Sequence, residues 1–163
     1  MTKRNLKFLC SVAVLLLSNL SIYAQSPSNP PNIVIIYADD MGYGDVGCYG
    51  AEDIKTPNID QIAQNGVKFT EFYSISPVCS PSRYGLMTGR YPARDGIHGV
   101  FFPESWTGMD TAEVTMANML KEVGYATGVV GKWHLGHRHE YLPLQREIGR
   151  AHVWTPVTSA QLV

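Results

Sequence analysis

The sequence predicts an α/β fold with a mostly parallel sheet flanked by helices. Three observations lead there. Asn32-Ile-Val-Ile-Ile-Tyr-Ala is a continuous β-branched apolar run, which suits a strand buried on both faces. Tyr125 to Val130 reads as a second buried strand. Between the two, apolar residues recur at helical spacing in two segments, so strand, helix and strand alternate along the chain.

The chain has 163 residues, a net charge of −1 and 45% hydrophobic residues. That is enough for one domain with a core. There is no Lys/Arg run or aromatic–basic stripe, so the sequence offers no nucleic-acid surface. Lys3, Arg4 and Lys7 precede an apolar run from Phe8 to Leu17. With small and polar residues up to Ala24-Gln25, residues 1–24 read as a secretory signal peptide, and the protein as secreted or periplasmic. The run is too short to span a bilayer comfortably, so no stable membrane anchor is expected. Residues 25–31 read as a Ser/Pro/Asn linker.

The first strand ends in Asp39-Asp40. Carboxylates at the carboxyl end of a buried strand lie where open α/β sheets place ligands. Adjacent like charges want a cation beside them, and hard oxygens suit Ca²⁺ or Mg²⁺. Met41 to Gly50 is glycine-rich and reads as an irregular loop with positive-φ positions. Thr56-Pro57-Asn58 opens a helix with Ile59, Ile62 and Ala63 on one face, and Asn65-Gly66 closes it. Val67 to Tyr73 alternates as a strand.

Cys79-Ser-Pro-Ser-Arg-Tyr-Gly-Leu-Met-Thr-Gly89 comes next. Pro81 suits a first helical turn, and Ser80 reads as the N-cap. Cys79 then sits at a helix N-terminus, where free N–H groups and the helix dipole favour an anion. Arg83 projects from the same side, with a guanidinium fork suited to a tetrahedral oxyanion. Residues 90–106 read as loop. A helix follows from Glu113 to Val123, with Gly124 as its stop. Met116, Met119 and Leu120 form a stripe expected to pack in the core. Beyond the strand at Val130 stand Lys132 and His134. In extended chain both project to one side, where a lysine can neutralise an anion and a histidine can move a proton. His98, His137, His139 and His152 read as surface residues. After removal of the signal peptide two cysteines remain, Cys48 and Cys79, which a secreted protein could pair.

Two of these stretches carry a resemblance. Cys79 to Gly89 resembles the signature of the type I sulfatases, Cys-x-Pro-x-Arg followed by two apolar residues, Thr and Gly. Gly124 to His134 resembles the second signature of that family. Together they mark residues 32–146 as similar to the N-terminal part of the catalytic domain of an alkaline-phosphatase-like sulfatase. The resemblance implies a series of roles. A maturation enzyme oxidises Cys79 to Cα-formylglycine. Asp39, Asp40 and residue 79 ligate Ca²⁺, with Mg²⁺ less favoured. Arg83 supports the formylglycine, Lys132 contacts the sulfate, and His134 holds the aldehyde hydrate. One hydroxyl of that hydrate attacks sulfur, and the other expels sulfate as the aldehyde re-forms. The implied substrate is an aryl or carbohydrate sulfate. Further metal ligands and substrate-side His and Lys residues of the family lie well downstream, and nothing after Gly136 matches them. A phosphodiester or phosphonate hydrolase of the same superfamily, an inactive fragment and a non-catalytic binding protein stay open beside the sulfatase reading. The tail, residues 147–163, has two readings. Ile148-Gly-Arg-Ala-His-Val-Trp-Thr-Pro-Val-Thr resembles a translated sequencing-adapter read, with Trp154 at a read-through TGA codon; the other reading is an ordinary loop and strand.

Overall fold

The computed structural model describes residues 30–154. The segment expected as a signal peptide, most of the expected linker and the end of the tail lie outside the described residues. The chain divides into two units, 1–38 and 39–163.

In the first unit, the expected strand Asn32–Ala38 does not form: these residues carry no helix or strand. Val34 and Ile36 are 81% and 84% exposed. Apolar, β-branched sequence states what side chains favour, but a strand exists only where a neighbour takes its N–H and C=O groups.

In the second unit, the glycine-rich loop folds into two short 3₁₀ turns, Tyr43–Asp45 and Gly47–Tyr49, and ends on the left-handed Gly50. Helix α1, Pro57–Asn65, follows. It is tied to the second turn through polar groups. Thr56 Oγ1 accepts from the Gly47 N–H at 2.8 Å, and Asp60 Oδ1 accepts from the Cys48 N–H at 2.7 Å. Its expected apolar face is not covered, and Ile59 and Ile62 are exposed. The strand expected from Val67 to Tyr73 is absent as well, with Val67, Phe69 and Phe72 exposed.

Helix α2, Cys79–Thr88, begins two residues earlier than Ser80 as N-cap requires. Val78 takes the cap position without a side-chain bond. The Ser80 hydroxyl is instead buried and accepts the Phe101 N–H at 3.1 Å, which pins a distant loop to the helix. Pro81 falls in the first turn, where its missing donor is tolerated. Gly89 adopts φ 68° and donates to the Gly85 carbonyl at 2.8 Å, the left-handed termination that glycine favours. Gly85 has no room for a side chain, since a Cβ there would lie 2.4 Å from Ile75 Cγ2.

Helix α3 is shorter than predicted, Met116–Glu122. Thr115 stops it from starting at Glu113, because its hydroxyl accepts the Asn118 N–H while Asn118 Oδ1 accepts the Thr115 N–H. Ala117 is the buried member of this helix. Met119 is exposed, so the expected core stripe is not one. Strand β1, Gly128–Lys132, lies later than the predicted 125–130 and pairs in parallel with β2, Arg150–Trp154. The core joins α2, α3 and the intervening loops through Tyr84, Ile97, Phe101, Met109, Ala117, Trp133, Leu135 and Ile148, with Val129 of β1 packed against it. Trp133 and Leu135 bracket His134 and are both buried, which anchors the segment just beyond β1.

Candidate active site

Cys79 opens α2 and is half-buried. Cys48 and Cys79 are both free thiols. One turn along, the Arg83 side chain is mostly enclosed and spans two elements. Its Nη1 donates to the Lys132 carbonyl at 2.6 Å, and its Nη2 donates to Asp39 Oδ1 at 3.2 Å. Lys132 closes the ring of contacts, because its Nζ donates to Asp39 Oδ2 at 2.8 Å. Helix start, strand end and the Asp39 carboxylate are thereby held together by a guanidinium and an ammonium.

The electrostatics follow from this geometry. The Lys132 hydrogen bond, with Arg83 assisting, holds the Asp39 carboxyl below the usual carboxylate value. The hydrogen bond to Asp39, with the Cys79 thiol nearby, pushes Lys132 above the usual lysine value. Lys132 is therefore a fixed positive charge beside the cysteine at neutral pH.

His134 departs from expectation in its backbone. The chain does not stay extended past Lys132: His134 adopts φ 59°. Asp40 adopts φ 62°. Left-handed conformations are uncommon for residues other than glycine and concentrate at functional sites. Burial, then the Lys132 charge, lowers the His134 pKa below its ordinary 6.5, so the ring is neutral at pH 7. Its Nδ1 is buried with no hydrogen-bond partner among the described residues. Such an atom costs free energy unless a ligand satisfies it.

Sequence reasoning missed His137, which is buried rather than on the surface. Its Nε2 bonds the Phe101 carbonyl at 2.9 Å, and its ring lies 6.0 Å from that of His134. No local pattern signals this, because the partner lies 36 residues away. His98, His139 and His152 are exposed as expected.

Asp39 and Asp40 offer the hard oxygen donors that Ca²⁺ takes. Among the described residues no three His, Cys, Asp or Glu side chains converge into a metal-holding group. Both Asp39 oxygens meet cationic side chains, Arg83 and Lys132. The donors thus fit in type and, without further oxygens, fall short of the six to eight that calcium binds.

The family model for sulfatases matches residues 31–144. The chain belongs to the sulfatase family. It is 50% identical over 135 residues to an N-acetylgalactosamine-6-O-sulfatase of Bacteroides thetaiotaomicron, covering 82% of this chain and 26% of that protein. It is 54% identical over 110 residues to human arylsulfatase A, covering 67% of this chain and 22% of that protein. A solved structure described with the metabolism of multiple glycosaminoglycans by Bacteroides thetaiotaomicron is similar at a TM-score of 0.63 and 57% identity, covering 67% of this chain and 23% of that one. The chain spans about a quarter of the length of these relatives. Sulfatases have the alkaline-phosphatase-like fold, and the helices and parallel strand pair described above are α/β in the same sense.

Proposed function

We propose that this chain carries the nucleophile and sulfate-binding part of a secreted sulfuric ester hydrolase, with Cys79 converted to formylglycine. The observation that carries the reading is the cationic cluster of Arg83 and Lys132 at the start of α2, where Cys79 stands. A sulfate ester brings negative charge to that place. Lys132, held protonated, and the N–H groups opening α2 would offset charge growing on the transferring group. Arg83 would hold the helix start against the end of β1, so that residue 79 is aimed consistently. Neutral His134 has a buried ring nitrogen, which would accept or donate one proton in the site.

Formylglycine, as its hydrate, supplies two hydroxyls on one carbon, one to take the sulfate and one to release it. Asp39 and Asp40 would hold Ca²⁺ with residue 79, and the cation would offset charge on the sulfate oxygens. A sulfated glycan is the favoured substrate class, since the Bacteroides relative is named for a sulfated amino sugar. The apolar run from Phe8 to Leu17 behind Lys3, Arg4 and Lys7 would send the protein through a secretory route.

The test is co-expression with a formylglycine-generating enzyme, followed by mass spectrometry of the Cys79 peptide. Conversion of the thiol to an aldehyde is expected. Unmodified cysteine, in cells that convert a control sulfatase, would overturn the reading.

A further inference from the structure

The loop from Phe101 to Trp106 holds one aromatic residue inward and presents two outward. Phe101 is 9% exposed and belongs to the core, whereas Phe102 is 62% and Trp106 74% exposed. The backbone of Phe101 is fixed from both sides, by the Ser80 hydroxyl and by buried His137. Ser80 follows Cys79, and His137 lies beside His134. The start of the loop is therefore tied to the residue after Cys79 and to the histidine beside His134.

Arg138, next to His137, stacks on Trp106, with its guanidinium carbon 3.2 Å from the ring centroid. Its Nε is buried and has no hydrogen-bond partner among the described residues. A stacked guanidinium spends its flat face on the ring and keeps its N–H edge for an anion. The indole, mostly exposed, keeps its other face for an apolar surface. Glu104 is exposed on the same loop and would repel an anion placed near it. Rigid aromatic surface beside a directed cation matches a ring with C–H faces and an acidic substituent.

We infer that Trp106 and Arg138 form a sugar subsite beside the sulfate-binding cluster, taking a pyranose ring against the indole and an anionic group of the same glycan on the guanidinium edge. This deepens the sulfatase reading and rests on it. The pair would favour sulfated, anionic glycans over simple aryl sulfates. Neither residue touches the reacting atoms; both act on affinity for the sugar.

The experiment reads binding, not turnover. The chain, produced without the maturation enzyme so that Cys79 stays a thiol, is titrated by calorimetry with a sulfated N-acetylgalactosamine disaccharide, its unsulfated counterpart and inorganic sulfate. Wild type should bind the sulfated disaccharide at least about tenfold more tightly than either control, the gain expected for one charge-assisted contact. Trp106→Ala should weaken binding about tenfold or more, and Trp106→Phe, which keeps an aromatic face, should recover much of it. Arg138→Lys keeps the charge, loses the planar fork and should weaken binding several-fold. Near-UV circular dichroism confirms that each variant is folded. Wild-type affinity in Trp106→Ala and Arg138→Lys would overturn the inference, as would no preference of wild type for the sulfated sugar. The reading beneath it fails differently, by absence of formylglycine at residue 79 while Trp106-dependent binding persists.

Discussion

Lys132 and Asp39 are 93 residues apart in sequence, and their side chains meet at 2.8 Å. Arg83 shares the same carboxylate and also takes the Lys132 backbone carbonyl. The three residues close a loop of contacts between the end of β1, the first turns of α2 and the start of the second unit at Asp39.

Lys132→Met should release Asp39. With its main hydrogen bond gone, the Asp39 pKa is expected to rise towards its ordinary value of 3.8. Carboxyl carbon shifts followed by NMR through an acid titration would show it. Because Asp39 is depressed in the folded state, its contribution to stability is present above pH 3.8 and is lost as pH falls through the folded value. Asp39 is 46% exposed, so solvent screening keeps that contribution within about 1 kcal/mol. An unchanged Asp39 titration in Lys132→Met would show that Lys132 does not govern it.

His134 gives a dependence of the same sign at higher pH, that of a base kept neutral. Its folded pKa lies below 6.5, so between that lowered value and 6.5 the unfolded chain binds a proton that the folded chain refuses. Stability is therefore full above pH 6.5 and declines as pH drops through this window. His134→Gln should flatten the melting temperature over the same window. A slope equal to wild type would assign the dependence to another group.

Gly85→Ala should destabilise the chain by about 1–3 kcal/mol, the range for overpacking. The added methyl would meet Ile75 Cγ2 at 2.4 Å. Ile75→Ala in the same chain should recover most of the loss, because it removes the colliding atom. Chemical denaturation of the two single variants and the double variant measures this coupling. Purely additive losses would place the strain elsewhere.

Asp39→Ala and Asp40→Ala, each made in the complete enzyme, should remove Ca²⁺-dependent sulfate ester hydrolysis while leaving the protein folded. Calcium takes six or more oxygens, and losing a carboxylate from a shell of hard donors lowers affinity strongly. Aryl sulfate turnover against added Ca²⁺ is the measurement, and wild-type turnover in either variant would remove that residue from the metal site.

The sequence by itself determined the local setting of the candidate site. Cys79, Pro81 and Arg83 follow one another closely enough that helix geometry alone puts the thiol at an N-terminus with a guanidinium one turn on. Gly89 ended that helix as its freedom to take positive φ requires. Contacts between distant segments were decided only by the tertiary structure. Ser80 was legible as a cap, but its hydroxyl serves Phe101 because burial there demanded a partner for a loop N–H. Lys132 and His134 were legible as a pair on extended chain, yet His134 turns left-handed between buried Trp133 and Leu135. The apolar runs at 32–38 and 67–73 stated a preference for sheet that no neighbouring strand among the described residues meets. Periodicity records which side chains seek burial, whereas pairing and ion contacts depend on what the rest of the chain brings beside them.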